Sequence, residues 1–285
     1  MNLKPAWQIL VLPALGVPAK VYAPLLNSLS ALPGVTATLV PGPAADVSWR
    51  AAIAVRHQGY RSWLQAVEAR VLQQREATPG CRVLLLGHSI GGHLALLALA
   101  RREAAIDGLV LVACGTPHWL AFPQAEQPRM RRGLRLIHAV LRLWPWYPGD
   151  WLGFGGRQPR QLMRDWLGLA RNGRFDAMAG LAGVDAQLQQ AHGPVLAIGI
   201  EGDGLAPPEA TRQLLSLAPG LSVQHSQAGS ERLQRESPAR RHNLWPREPQ
   251  AVLPLLQQWL RAQWPELAPG AEATSAAEAQ SSLKG

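Results

Sequence analysis

Five short aliphatic runs, each bounded by turn residues, recur along the chain at 7–13, 35–40, 82–87, 108–113 and 194–200. They are too short for comfortable helices and do not alternate polar with apolar, so they read as strands covered on both faces. Between and after them come segments with helical spacing of apolar residues, at 22–32, 61–76, 89–103, 206–217 and 249–263. Buried strands alternating with helices predict an α/β architecture, a mostly parallel central sheet with helices on both faces. At 285 residues and 47% apolar content the chain can fill the core that such a sheet needs.

The alternation breaks between 115 and 192, where two amphipathic helices are expected and no good strand is. One runs over 129–143, with Leu134, Ile137, His138 and Leu141 on one face; the other runs over 158–171, with Leu162, Met163, Trp166 and Ala170 together. Asn172-Gly173 supplies a stop for the second. A helical insertion after a strand reads as a cap. The expected division is therefore a core of 1–114 and 193–265, a helical cap of 115–192, and a small, polar flexible tail of 266–285.

Composition excludes several classes. The two cysteines, Cys81 and Cys114, lie far apart with no CxxC spacing, so neither a disulfide framework nor a metal site is expected and a reducing cytoplasm fits best. Ile9 to Leu12, with a single lysine ahead and Pro13 behind, reads as a buried strand rather than a secretory core. No apolar stretch approaches the roughly 20 residues of a membrane span, so a soluble protein is expected. The net charge of +9 comes almost wholly from arginines. They are scattered and accompany no nucleic-acid-binding motif, so no nucleic-acid partner is expected.

The chemistry gathers around Gly87-His88-Ser89-Ile90-Gly91, which joins the third aliphatic run to the Ala- and Leu-rich helix after it. Gly-x-Ser-x-Gly between a strand and a helix is a nucleophile elbow, a sharp turn that lifts the serine oxygen above the sheet edge and aims helical N–H groups at an incoming oxyanion. Elsewhere the same pattern is a serine at a turn. A nucleophilic serine needs a base and an acid that orients it, expected in that fold in the order Ser, Asp or Glu, His. Asp203 follows the run at 194–200 in a glycine-rich loop, and His242 precedes the last helix. Glu201 competes for the acid, and His225 is a surface or packing alternative for the base. His88 and His93 read as polar groups packed round the turn, while His57, His118, His138 and His192 precede the acid. The backbone N–H of Ile90 is one oxyanion donor, and that of Leu15, in the loop after the first strand, is the candidate second.

These segments resemble the α/β-hydrolase superfamily over about residues 5–263. LVLPALGVPAKVYAPLLNSL is similar to its first strand and oxyanion loop, GHSIGG to its elbow, EGDGLAPPEA to its acid loop, and HNLWPREPQAVLPLLQQWL to its histidine loop and last helix. YPGDWLGFGGRQPRQLMRDWLGLARNGRF resembles the cap of a bacterial branch near the serine aminopeptidase-like and lysophospholipase-like members. Two departures stand out. Pro13-Ala14 replaces a common His-Gly, and PGPAADVSWRAAIAVRHQGYRSW replaces a common Arg-Gly-x-Gly-x-Ser loop, a change at the pocket rim. The resemblance implies an α/β-hydrolase fold and serine-dependent hydrolysis, and carries no defined substrate.

Trp119, Trp144, Trp146, Trp151 and Trp166, with Phe122, Tyr147 and Phe154, fall in the insertion. They line an apolar acyl or alcohol pocket or form the cap's own core. The basic helix from Arg129 is a solvated face or, with Trp144 and Trp146, the site of a transient membrane-surface contact. The leading expectation is a cofactor-free serine hydrolase acting on small-molecule carboxylic esters, apolar or lipid-like. Two alternatives stand beside it. An aminopeptidase or amidase would need a cap carboxylate for the substrate amine, with Glu126, Asp150, Asp165, Asp176 and Asp185 available; a non-catalytic binder would hold an apolar ligand in the capped pocket. Oligomeric state is not legible.

Overall fold

The computed structural model describes residues 7–43 and 48–265, so the tail expected at 266–285 lies outside the described residues. Its strands are β1 (Trp7–Leu12), β2 (Val35–Leu39), β3 (Arg82–His88), β4 (Gly108–Val112), β5 (Trp146–Pro148), β6 (Arg157–Pro159), β7 (Gly193–Ile200) and β8 (Leu221–Ala228). The helices that follow β1 to β4 are α1 (Ala23–Ser30), α2 (Trp49–Ala54), α3 (Tyr60–Ala77), α4 (Ile90–Arg101) and α5 (Gln127–Leu143). The second half adds α6 (Gly149–Leu152), α7 (Arg160–Asn172), α8 (Val184–Gln189), α9 (Pro208–Leu215), α10 (Glu231–Gln234), α11 (Pro238–Leu244) and α12 (Leu253–Gln263).

Six strands form one sheet in the order β2-β1-β3-β4-β7-β8, with every pairing parallel. Every residue of β1 and β4 is buried, which is why these runs are apolar apart from Gln8. Apolar side chains of α1 and α12 cover one face, among them Leu25, Leu29 and Trp259. The other face is covered from α3, α4, α8 and α9, by Leu64, Leu94, Leu188 and Leu214. The five strands expected from the aliphatic runs all form. The sixth, β8, hides its signal: Ser222, Gln224, His225 and Gln227 face outward along a sheet edge, where burial on both faces is not required.

From β1 the chain moves outward to β2 and then returns past β1 to form β3, so the direction of winding reverses between β1 and β3. At such a reversal the loops leaving the two strands diverge and open a crevice at their carboxyl ends. Leu12 and Gly87 are register partners there. The loop starting at Pro13 and the turn carrying Ser89 therefore emerge side by side.

The segment between β4 and β7 departs from expectation in one respect. Trp146 to Pro148 and Arg157 to Pro159 pair as a small antiparallel ribbon, β5 with β6. Three residues per strand, each ending on proline, leave no alternation to read. α5 and α7 form where their apolar spacing places them, and Gly173 closes α7 in a left-handed conformation, φ 69°, with its N–H on the Leu169 carbonyl. α2, α8, α10 and α11 span one or two turns, too few for a repeated face. Among the described residues no helix is long and apolar enough to cross a membrane.

Buried Asp165 of α7 fastens this segment to the sheet layer. Its carboxylate accepts from the Tyr60 N–H at 2.9 Å and from Gln161 Nε2 at 2.7 Å, and so caps the first turn of α3 from another part of the chain. Gly59 leaves the room, since a Cβ there would meet Asp165 Oδ2. Asp165→Ala strands a buried N–H and is expected to cost about 2–3 kcal/mol. A urea midpoint unchanged from wild type would contradict that role.

Candidate active site

Ser89 sits between β3 and α4 at φ 54° and ψ −119°, a conformation rare for a residue with a side chain. The Ser89 N–H is held by the Val112 carbonyl at 3.1 Å, and the Ser89 carbonyl accepts from Gly92 N–H at 2.9 Å. The flanking glycines are sterically required. A Cβ on Gly87 would meet the Gly92 backbone, one on Gly91 the Leu12 carbonyl oxygen, and one on Gly92 the Cys114 sulfur. The turn is thus pressed against β1 on one side and the end of β4 on the other. Strain of the kind stored at Ser89 costs about 1–3 kcal/mol and persists only when neighbours hold it in place.

His242 and Asp203 meet. The expected histidine loop is a short helix here, and His242 lies in its last turn, two residues before the end of α11. His242 Nδ1–H donates to Asp203 Oδ2 at 2.7 Å, with the two side chains only 5% and 1% exposed. The other carboxylate oxygen, Oδ1, accepts from the N–H groups of Leu205 at 2.7 Å and Ala206 at 3.1 Å. The loop thereby fixes the carboxylate, and the carboxylate fixes the imidazole tautomer with Nε2 left free of that bond. Glu201 faces elsewhere, its carboxylate on Gln234, and His225 is exposed on β8.

Behind this pair runs a buried hydrogen-bonded line that sequence reasoning did not assemble. His88 Nε2–H donates to the His242 carbonyl at 2.8 Å, so its neutral ring accepts at Nδ1 from the Tyr22 hydroxyl, also at 2.8 Å. Tyr22 in turn accepts from the Ala14 N–H at 2.7 Å. One line therefore joins the loop carrying Leu15 to the backbone of His242. His88 alone looks like a packing residue. Its partner Tyr22 comes from a helix start in another unit, with no motif to mark it. His93 is held in a parallel way, donating to the Gly115 carbonyl at 2.9 Å and accepting from Tyr60 at 3.0 Å.

Burial lowers the pKa of both histidines, that of His88 well below its ordinary value and that of His93 to about 4. For His88 the neighbouring His242 adds to the effect. Each ring stays neutral in the folded chain while the unfolded chain takes up protons below about pH 6.5, so stability falls as pH drops from there toward 4. The expected slope reaches about 1.4 kcal/mol per pH unit for each ring. Urea titrations from pH 7 to 5 check this, and His93→Phe should flatten the slope.

Ser89 and His242 line the same cavity, about 360 Å³ in volume, together with Leu15, Ile90 and His93. Three of the nine aromatic residues of the insertion, Phe122, Phe154 and Trp166, reach it. Trp146 and Tyr147 are buried in the insertion itself, whereas Trp144 and Trp151 are exposed. Of the five carboxylates that an amine-gripping site would draw on, Glu126 alone lines the cavity, beside Arg129. Asp150 pairs with Arg157, Asp165 caps α3, and Asp176 and Asp185 exchange backbone hydrogen bonds with each other's segments. Leu15 also walls a second depression of about 230 Å³, and the replaced loop after β2 contributes Gly42 and Pro43 there rather than to the Ser89 cavity. The GFGG strip at 153–156 packs onto the same loop, with Leu15 against Gly155.

Comparison with known proteins agrees with the fold. The model of the family described as serine aminopeptidase, S33, matches residues 53–226. Among solved structures, a monoacylglycerol lipase from Paleococcus ferrophilus is 18% identical, with 90% of this chain and 96% of that one covered at a TM-score of 0.53. An α/β hydrolase from the metagenome of lagoon sediments at Mar Chica, Morocco, is 14% identical, covering 91% and 93% at 0.54. A haloalkane dehalogenase loop variant from Bradyrhizobium elkanii is 16% identical, covering 98% and 93% at 0.57. At such identities the likeness is one of fold. No curated protein matches the chain.

Proposed function

Because the chain belongs to the serine aminopeptidase S33 family of α/β hydrolases, we propose that it hydrolyses carboxylic esters with apolar acyl or alcohol groups, through Ser89, His242 and Asp203. The observation that carries the proposal is the buried His242–Asp203 pair opening onto the cavity that holds Ser89 in its strained turn. Ser89 Oγ attacks the ester carbonyl carbon as its proton passes to His242 Nε2. Asp203 keeps the imidazole oriented and stabilises its charge. The oxyanion is received by the N–H groups of Ile90 and Leu15, the first at the start of α4. Collapse expels the alcohol, which takes the proton from His242. Water, deprotonated by the same ring, then attacks the acyl-enzyme, and Ser89 recovers its proton as the acid leaves. The segment 115–192 acts as a cap, and Phe122, Phe154 and Trp166 supply apolar walls.

A second reading, an aminopeptidase or amidase on the same residues, is favoured by Glu126 at the cavity wall, a carboxylate suited to a substrate's free amine. Nitrophenyl esters of increasing acyl length tested beside aminoacyl nitroanilides separate the two. The ester reading expects turnover of the apolar esters, with Glu126→Gln having little effect. Anilide turnover that rises above ester turnover and is lost in Glu126→Gln would replace it.

A further inference from the structure

The seam between α5 and α7 carries a groove of about 380 Å³ that is separate from the Ser89 cavity. His138 and Arg142 stand four residues apart on α5, and Arg164 and Arg171 seven apart on α7, so each pair shares a helix face. Buried Leu141 and Leu167 form the floor. Among the described residues no carboxylate lines the groove. Instead of an acid, Arg171 has the imidazole of His138, with its guanidinium 3.4 Å from Nδ1. Partial burial, and then the charges of Arg171, Arg142 and Arg164, hold that imidazole below its ordinary pKa.

Helix ends do not account for this gathering. Arg142 and Arg171 do lie in the last turns of their helices, where a cation is worth about 0.3–1 kcal/mol. Yet the end of α5 is already served by Arg160, which donates to the carbonyls of Leu141 at 2.7 Å and Arg142 at 3.2 Å. The end of α7 is closed by Gly173. Arg164 belongs to the first half of α7, far from its carboxyl end.

We propose that the α5–α7 groove binds a phosphate group, with the guanidiniums of Arg142, Arg164 and Arg171 around its oxygens. Planar guanidinium forks match phosphate oxygens two at a time, and an anion there relieves the crowding of like charge. The group can belong to a soluble phosphate ester or to a lipid headgroup. Leu143 and Trp144, 77% and 42% accessible, follow Arg142 directly in the chain and are apolar groups that a lipid surface could take up.

The test titrates inorganic phosphate calorimetrically into the full chain and floats it with phosphatidylcholine vesicles, with or without phosphatidylglycerol. R142A/R164A is compared with R132A/R261A, which removes equal charge at exposed positions outside the groove. Saturable binding weakened about 10-fold or more in R142A/R164A alone is the expected result. If binding to the anionic vesicles follows the same pattern, the source is a lipid headgroup; if only phosphate binds, it is a soluble ester. Equal losses in both double variants, no loss in R142A/R164A, or binding of neither probe by the wild type would overturn the proposal.

Discussion

Exchanging Ser89 for alanine is expected to lower ester turnover by roughly 10⁴-fold or more with the fold intact, because among the described residues lining the cavity no other side chain bears a hydroxyl or thiol. A second substitution at the same position separates chemistry from structure. Ser89 is held at φ 54° and ψ −119°, which alanine also occupies only under strain and glycine occupies readily. Ser89→Gly should therefore be as inactive as Ser89→Ala yet about 1 kcal/mol more stable than it, after allowing for glycine's greater freedom in the unfolded chain. Steady-state kinetics and urea midpoints on both variants check the two halves. Equal stabilities would mean that the turn is not strained, and residual turnover near the wild-type rate would remove Ser89 from the mechanism.

Gly91→Ala carries the largest expected cost to stability. Its new methyl group would be driven into the Leu12 carbonyl oxygen, a backbone atom of the central strand β1 with no freedom to rotate away. The expected loss is about 3 kcal/mol or more, beyond ordinary overpacking because two backbone segments must part. Activity should fall as well in whatever remains folded. Gly91 adjoins Ile90, and Leu12 leads into the loop of Leu15, so the displacement separates the two proposed oxyanion donors; about 1 Å of misplacement is enough for roughly 100-fold. An alanine variant with wild-type midpoint and kcat would show that the elbow is not pressed against β1.

Much of this arrangement is legible in the chain itself, for identifiable reasons. Central strands buried on both faces must be mostly aliphatic, so β1, β3, β4 and β7 announce themselves. The edge strand β8 escapes because exposed polar residues stand on both of its faces. Ser89 is legible because its geometry demands glycines at fixed offsets, each now accounted for by a specific collision. The meeting of Asp203 and His242 rests on chain order, which sequence carries, and on loop shape, which it does not. The acid competes with Glu201 until the loop N–H groups of Leu205 and Ala206 are seen to hold Asp203. The line through Ala14, Tyr22, His88 and His242 was beyond reach. It joins residues from three separate segments, and none of its four members sits in a pattern that requires another. The insertion's carboxylates show the same limit from the other side, since five equivalent candidates become one at the cavity only when the packing of α5 and α7 is known.

The central claim is that Ser89 is an activated nucleophile with His242 as its base, and labelling by a fluorophosphonate probe read by intact mass tests it most directly. The expected result is one adduct per wild-type chain, none on Ser89→Ala, and strongly slowed labelling of His242→Ala. A folded wild type that stays unlabelled, or an adduct that persists on Ser89→Ala, would contradict it.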